Sequence, residues 1–148
     1  MNRIRTSIVL LVPLCLLVVS SATAEPRPKL IIDADTANEI DDMYAIVRML
    51  HQDTFDVVGL NSTQWQHRLS GTKTAEDSHS INQQLLRLLD REDLPLNLGS
   101  NQPVGMPWGG DEPRESEASR FIIDMARGLP AGEQIVVMCI GATTNLAS

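Results

Sequence analysis

Apolar residues recur along this chain in two alternating rhythms. KLIID (29–33) is a short continuous apolar run that ends in a carboxylate, the form of a buried strand. From Asp41 the apolar residues fall at Met43, Tyr44, Ile46, Val47 and Leu50, the i, i+3, i+4, i+7 spacing of an amphipathic helix. FDVVGL (55–60), β-branched at its centre, reads as a second strand. SINQQLLRLLDRED (80–93) returns to the helical period, with Ile81, Leu85, Leu88 and Leu89 on one face. LPLNLG (94–99) reads as a short strand. SNQPVGMPWGGDEPRE (100–115), with three Pro and three Gly, is a loop. SEASRFIIDMARGL (116–129) predicts a helix with Ser116 as N-cap and Gly128 as C-cap. Ser119, rather than Glu or Gln, stands at N3, so no capping box is expected. EQIVVMCIG (133–141), apolar through its centre, predicts a strand buried on both faces.

Strands that alternate with helices of ten or more residues predict βαβ units. The expected fold is α/β: an open, mostly parallel sheet with helices on both faces. Any ligand site is then expected beyond the carboxyl ends of the strands.

The first residues follow a different rule. Arg3 and Arg5 precede the apolar run SIVLLVPLCLLVV, and Ala22–Ala24 has the small-x-small form of a cleavage site. Residues 1–24 therefore read as a secretory signal peptide, and 25–148 as one exported domain, periplasmic or secreted. The apolar run is shorter than the ~20 residues a membrane span needs. Bulky Leu14 before Cys15 argues against a lipoprotein. Losing Arg3 and Arg5 moves the net charge from −7 to −9, with 10 basic residues against 19 acidic. Such a chain is a poor match for nucleic acid or for an anionic membrane. Cys139 is the only cysteine left after cleavage, so no intrachain disulfide can form and stability must come from the core.

Most of the candidate chemistry lies between the first strand and the first helix. Asp33, Asp35, Glu39, Asp41 and Asp42 occupy ten positions. Acidic residues are favoured at helix N-termini, and Asp41 is the best capping candidate. Capping leaves Asp33 and Asp35 unexplained. Carboxylates crowded at one turn repel each other unless a cation neutralises them. Calcium and magnesium take oxygen ligands from such clusters.

The order of these residues resembles a known family. IIDADTANEIDDMYAI is similar to the N-terminal signature of the inosine–uridine-preferring nucleoside hydrolases, D-x-D-P-G-x-D-D-A-x-A, here with two extra residues between the second and third acidic positions. VVGLNST, INQQLLRLLDREDLPLNLGS and IGATTNLAS follow in the family's order, the last resembling its G-x-x-T-N-hydrophobic-A. The resemblance implies calcium-dependent hydrolysis of the N-glycosidic bond of a ribonucleoside. By it, Asp35 and Asp42 would ligate Ca2+, and Thr144 would add its backbone carbonyl. Asp35 would also be the general base. Asp41 would bond a ribose hydroxyl, and Asp33 would stand behind the ligands or on the sugar side. The implied partner is a small nucleoside, with no nucleic acid and no membrane; a homo-oligomer is left open. Family domains are about twice as long as residues 25–148, so the resemblance further implies a truncated fold that is inactive alone.

Other positions weigh less. Asn61 ends the second strand and is a candidate to line the pocket, followed by Trp65 and His67 in the next loop. His51, His79 and Asn82 read as structural, Cys139 as core and Glu39 as solvent-facing. Trp108 and Asp111 lie in a loop lacking the family's common H-G-x-D-G form. IIDADTA also resembles the D-x-D-x-T opening of haloacid-dehalogenase-type phosphatases, where Asp33 would be a nucleophile, Asp35 an acid/base and magnesium the ion. Against that, Ala37 occupies the Thr position and NEIDD is unexplained. A third reading is a non-catalytic member that binds sugar or metal.

Overall fold

The computed structural model describes residues 26–107 and 109–148; the expected leader and Trp108 lie outside the described residues. Seven elements follow in the order β1 (Lys29–Ala34), α1 (Asp41–Leu50), β2 (Asp56–Ser62), α2 (Thr74–Leu88), β3 (Leu96–Leu98), α3 (Glu117–Arg127) and β4 (Ile135–Cys139). The strands form one all-parallel sheet in the order β3-β2-β1-β4. The chain winds from β1 outward through β2 to β3, then returns to place β4 on the far side of β1. With right-handed crossovers, that reversal puts α1 and α2 on one face and α3 on the other.

Packing agrees with this arrangement. Leu30, Ile32 and Ala34 of β1 and Leu60 of β2 form a buried cluster with Ile46 of α1 and Leu86 of α2. On the opposite face, a Cβ at Gly59 would come 2.4 Å from the Phe121 ring, so the missing side chain lets α3 lie directly on β2. The β1–β2 register carries one irregularity: Leu30 pairs with Val57, but Ile31 pairs with Gly59. Val58 is thus the extra residue of a bulge.

Several elements differ from their sequence forecast for identifiable reasons. α2 starts six residues earlier than expected, because its first half is buried through small residues. Thr74, Ser78, Asn82 and Leu86 recur every fourth position on the inward face. Leu88, expected on that face, is 81% exposed. α2 also ends early. Asp90 adopts φ 52°, and the Asp90 and Arg91 amides close back on the carbonyls of Arg87 and Leu86, a Schellman stop built without glycine. β4 is not buried on both faces: among the described residues it is an edge strand, and Val136 is 38% exposed.

The helix caps reverse two expectations. Ile40, not Asp41, is the N-cap of α1, and no side chain caps it; Asp41 and Asp42 lie in the first turn. α3 does carry a capping box. The Ser119 amide donates to Ser116 Oγ at 3.0 Å, and the Ser116 amide donates to Ser119 Oγ at 3.0 Å. A hydroxyl at N3 does the work of the usual carboxylate because both serines are buried and held close. Replacing Ser116 with Ala should therefore cost about 1 kcal/mol and lower the thermal midpoint by about 4 °C, read by circular-dichroism melting. An unchanged midpoint would show that the box contributes nothing.

Candidate functional site

β1 carries the site's acidic residues to the centre of the sheet's carboxyl edge. It is flanked by β2 and β4, so its end is the point where the strand order reverses, the position at which open α/β sheets take their ligands. Asp33 is the penultimate strand residue, in register with Asn61 of β2 and Cys139 of β4; Asn61 is in register with Asn97 of β3. These four residues make a polar row across the sheet on the face that α3 covers. Asn97 Nδ2 donates to Asn61 Oδ1 at 2.9 Å.

Beyond the strand, Asp35 opens a tight turn in which the Asn38 amide donates to its carbonyl at 2.7 Å. Asn38 Nδ2 donates to Asp35 Oδ2 at 3.3 Å. The turn leads into α1 and returns the buried Asp42 close enough to Asp35 for the two carboxylates to repel each other. Asp35 is also pressed against the loop after β4: a Cβ at Gly141 would lie 2.8 Å from the Asp35 Cβ and Cγ and from Thr63 Cγ2. Only glycine allows that approach.

Electrostatics mark two of the carboxyls. Burial is the largest cause that pushes Asp33 up to about 6, partly offset by the hydrogen bond from Asn145. Asp42 is pushed up to about 7, first by burial and then by the adjacent Asp35 carboxylate, with Asp41 adding a smaller repulsion. Asp33 Oδ2 and Asp42 Oδ2 are buried with no hydrogen-bond partner. Burial and repulsion also raise the Cys139 thiol, through its register neighbour Asp33.

A layer of amides and hydroxyls supports the acidic turn from both sides. Toward α2, Thr36 Oγ1 donates to Asn82 Oδ1 at 2.6 Å, and Asn82 Nδ2 donates to Ser62 Oγ at 3.1 Å. Ser62 Oγ also lies 3.3 Å from His79 Nδ1. Toward α3, Asn145 Nδ2 donates to Asp33 Oδ1 at 2.9 Å and to the Ser62 carbonyl at 3.3 Å. Gln64 Nε2 donates to Thr144 Oγ1 at 3.3 Å, while Gln64 Oε1 is buried without a partner.

The residues singled out in the sequence meet different fates. Asp35 and Asp42 come together. Asp41 is exposed beside them, as is Glu39. Asp33 and Asn61 are both 0% exposed, so they lie beneath the acidic turn and line no open surface. Thr144 is buried beside Gln64, and its carbonyl accepts from Ser148 Oγ at 2.7 Å, which leaves that oxygen a second lone pair. Trp65 and His67 pack against each other, ring centroids 5.1 Å apart, with His67 exposed. Asp111 is exposed. Asn38, Thr63, Gln64 and Asn145 were not singled out. Only Asn145 left a legible trace, as the second member of the quoted T-N pair. An open cavity of about 660 Å³ also sits among the loops after β2 and β3, lined by Gln66, Thr72, Asn101 and Arg114 among others; no acidic residue of the turn lines it.

The acidic turn suits a hard divalent cation. Its donors are oxygens, one carboxylate oxygen of Asp42 is buried and unpartnered, and a positive ion would relieve the Asp35–Asp42 repulsion. Among the described residues, no three His, Cys, Asp or Glu side chains gather into a complete cage. The two aspartates would therefore be joined by amide, hydroxyl, carbonyl or water oxygens.

No curated protein matches the chain. The family model described as inosine-uridine preferring nucleoside hydrolase matches residues 30–148, from the second residue of β1 to Ser148, and the chain therefore belongs to that nucleoside hydrolase family.

Proposed function

We propose that the acidic turn is the cation- and ribose-facing part of a calcium-dependent nucleoside hydrolase site. The observation that carries this reading is the pairing of Asp35 with Asp42 at the sheet's reversal point, with a buried Asp42 oxygen left unpartnered. Family membership supports a small nucleoside as substrate and leaves the phosphatase reading without support.

Asp35 and Asp42 would hold the ion, with Thr144 contributing its carbonyl. Bound Ca2+ would supply charge that makes water more acidic and orients the ribose hydroxyls. The chain's own residues do the rest. Asp41, exposed at the start of α1, accepts a hydrogen bond from a ribose hydroxyl. Asp35, oriented by Asn38 and by the close approach of Gly141, takes a proton from the attacking water. The water oxygen bonds to C1′ while the C1′–N bond breaks, its electron pair leaving on the base nitrogen through an oxocarbenium-like transition state. Asp33 and Asn61, wholly buried, act from beneath by fixing the end of β1.

Calorimetric titration with CaCl2 tests the ion. The wild-type chain should bind, and Asp42→Ala should weaken binding by roughly a hundredfold. A wild-type chain that takes up no calcium would remove the reading.

Protonation gives a second test. Both raised groups hold protons in the fold that they release in the unfolded chain between about pH 4 and pH 7. The folded state thus binds more protons than the unfolded one, and the calcium-free fold loses stability as pH rises through this window. For Asp33, raised from 3.8 to about 6, the loss is on the order of 3 kcal/mol. In chelator, the melting temperature of wild type should therefore fall relative to that of Asp42→Asn between pH 5 and pH 8. Calcium must displace the proton on Asp42, so its affinity should rise roughly tenfold or more from pH 5.5 to 7.5. A calcium affinity independent of pH would contradict the assignment of Asp42.

A further inference from the structure

Asn145 joins more of the site than any residue whose role has been assigned above. Its side chain is 2% exposed. Nδ2 donates to Asp33 Oδ1 of β1 at 2.9 Å and to the Ser62 carbonyl of β2 at 3.3 Å. Oδ1 accepts from Ser116 Oγ, the N-cap of α3, at 3.4 Å. The end of β3 leaves room for it: a Cβ on Gly99 would come 2.5 Å from Asn145 Oδ1, 2.7 Å from Nδ2 and 2.3 Å from the Ser62 carbonyl. The amide is therefore clamped between β1, β2, the residue after β3 and the start of α3. It belongs to the segment after β4 that also carries Thr144 and, four residues earlier, Gly141 against Asp35.

We propose that Asn145 is a positioning residue for the acidic site. It touches neither the ion nor the substrate. By holding Asp33 and the Ser62 carbonyl at once, it fixes the segment after β4 against the end of β1, and so sets Thr144 and the Gly141–Asp35 approach. An amide suits this task because it donates to two acceptors with one nitrogen and accepts from Ser116 with its oxygen. Aspartate at 145 would keep the shape but turn an acceptor toward the Asp33 carboxylate. Alanine would leave Asp33 Oδ1, like Oδ2, buried and unpartnered.

The inference rests on the cation reading, and its test separates the two. Calcium affinity is measured by calorimetry at one pH and well below the melting temperature of each variant, with folding checked by far-ultraviolet circular dichroism. The variants are Asn145→Ala, Asn145→Asp, Gly99→Ala and, as a control, Ser119→Ala, which breaks the capping box without touching Asn145 or Asp33. Both Asn145 variants and Gly99→Ala should weaken calcium binding by roughly tenfold to a hundredfold, the range for residues that orient ligands from behind. Ser119→Ala should lower the melting temperature and leave affinity within about twofold. A merely structural role predicts instead that every variant loses stability and none loses affinity. Wild-type binding with Asn145→Ala and Gly99→Ala both within about twofold of it overturns the proposal alone. No binding by wild type overturns the cation reading and this one with it. Should Asn145→Ala fail to fold, Gly99→Ala decides by the same criterion, since it displaces the amide from another element.

Discussion

The constraint on which the rest of this structure depends is a carboxylate placed where water does not reach. Asp33 sits in the central strand of the sheet, wholly buried, with one oxygen held by Asn145 and the other held by nothing. A lone buried charge is costly, and a protein that keeps one must surround it with donors. Here the surroundings are polar residues from every neighbouring strand: Asn61, Asn97 beyond it, and Cys139 opposite. The main apolar cluster lies on the other face, where Leu30, Ile32 and Ala34 meet α1 and α2, while Ile31 of β1 and Ala118 and Ile122 of α3 are buried on the α3 side. One face of the sheet keeps the protein folded; the other grows polar toward its carboxyl end and supports the site.

That division explains what could be read in the sequence. KLIID announced β1, because a strand inside a parallel sheet is apolar with few interruptions; IVVMC announced β4 by the same apolar run, although β4 lies at the sheet's edge among the described residues. The acidic cluster announced the site, because no stability argument accounts for so many carboxylates at one turn. The first half of α2 was not legible: its inward positions are Thr74, Ser78 and Asn82, which a hydrophobic period does not detect. They are polar because α2 packs there through hydrogen bonds: Ser78 and Asn82 accept from the acidic turn, and Thr74 accepts from the Trp65 amide in the loop after β2. The Ser116–Ser119 box was missed for a related reason. Its geometry depends on both hydroxyls being buried together, a fact of packing and not of spacing. Asn145 lies 112 positions from Asp33, and no local rule joins them.

The site also shows how little side-chain volume its inner surfaces tolerate. Gly141 lets Asp35 lie against the loop after β4, and Gly99 makes the same allowance for Asn145. In each case glycine is needed for the space a Cβ would fill, because neither residue has a positive φ. Shape around the carboxylates is thus set by main chain, which has fewer ways to relax than side chains do. Cation-binding carboxylates benefit from such rigidity, since an ion held by a mobile pair must first order it.

The bulge beside Leu30 and Ile31 has a consequence of another kind. Below it, Leu30 meets Val57; above it, Asp33 meets Asn61. Had the lower register continued unbroken, Asp33 would have stood beside Leu60, and the polar row would have been interrupted by a core side chain. The extra residue Val58 therefore works as a phase adjustment between two separately aligned stretches of one strand pair. The lower stretch answers to hydrophobic packing and the upper to hydrogen bonding. A length change at this joint would be felt as a rotation of the upper stretch's faces, exchanging the surface that folds the protein with the one that supports its chemistry.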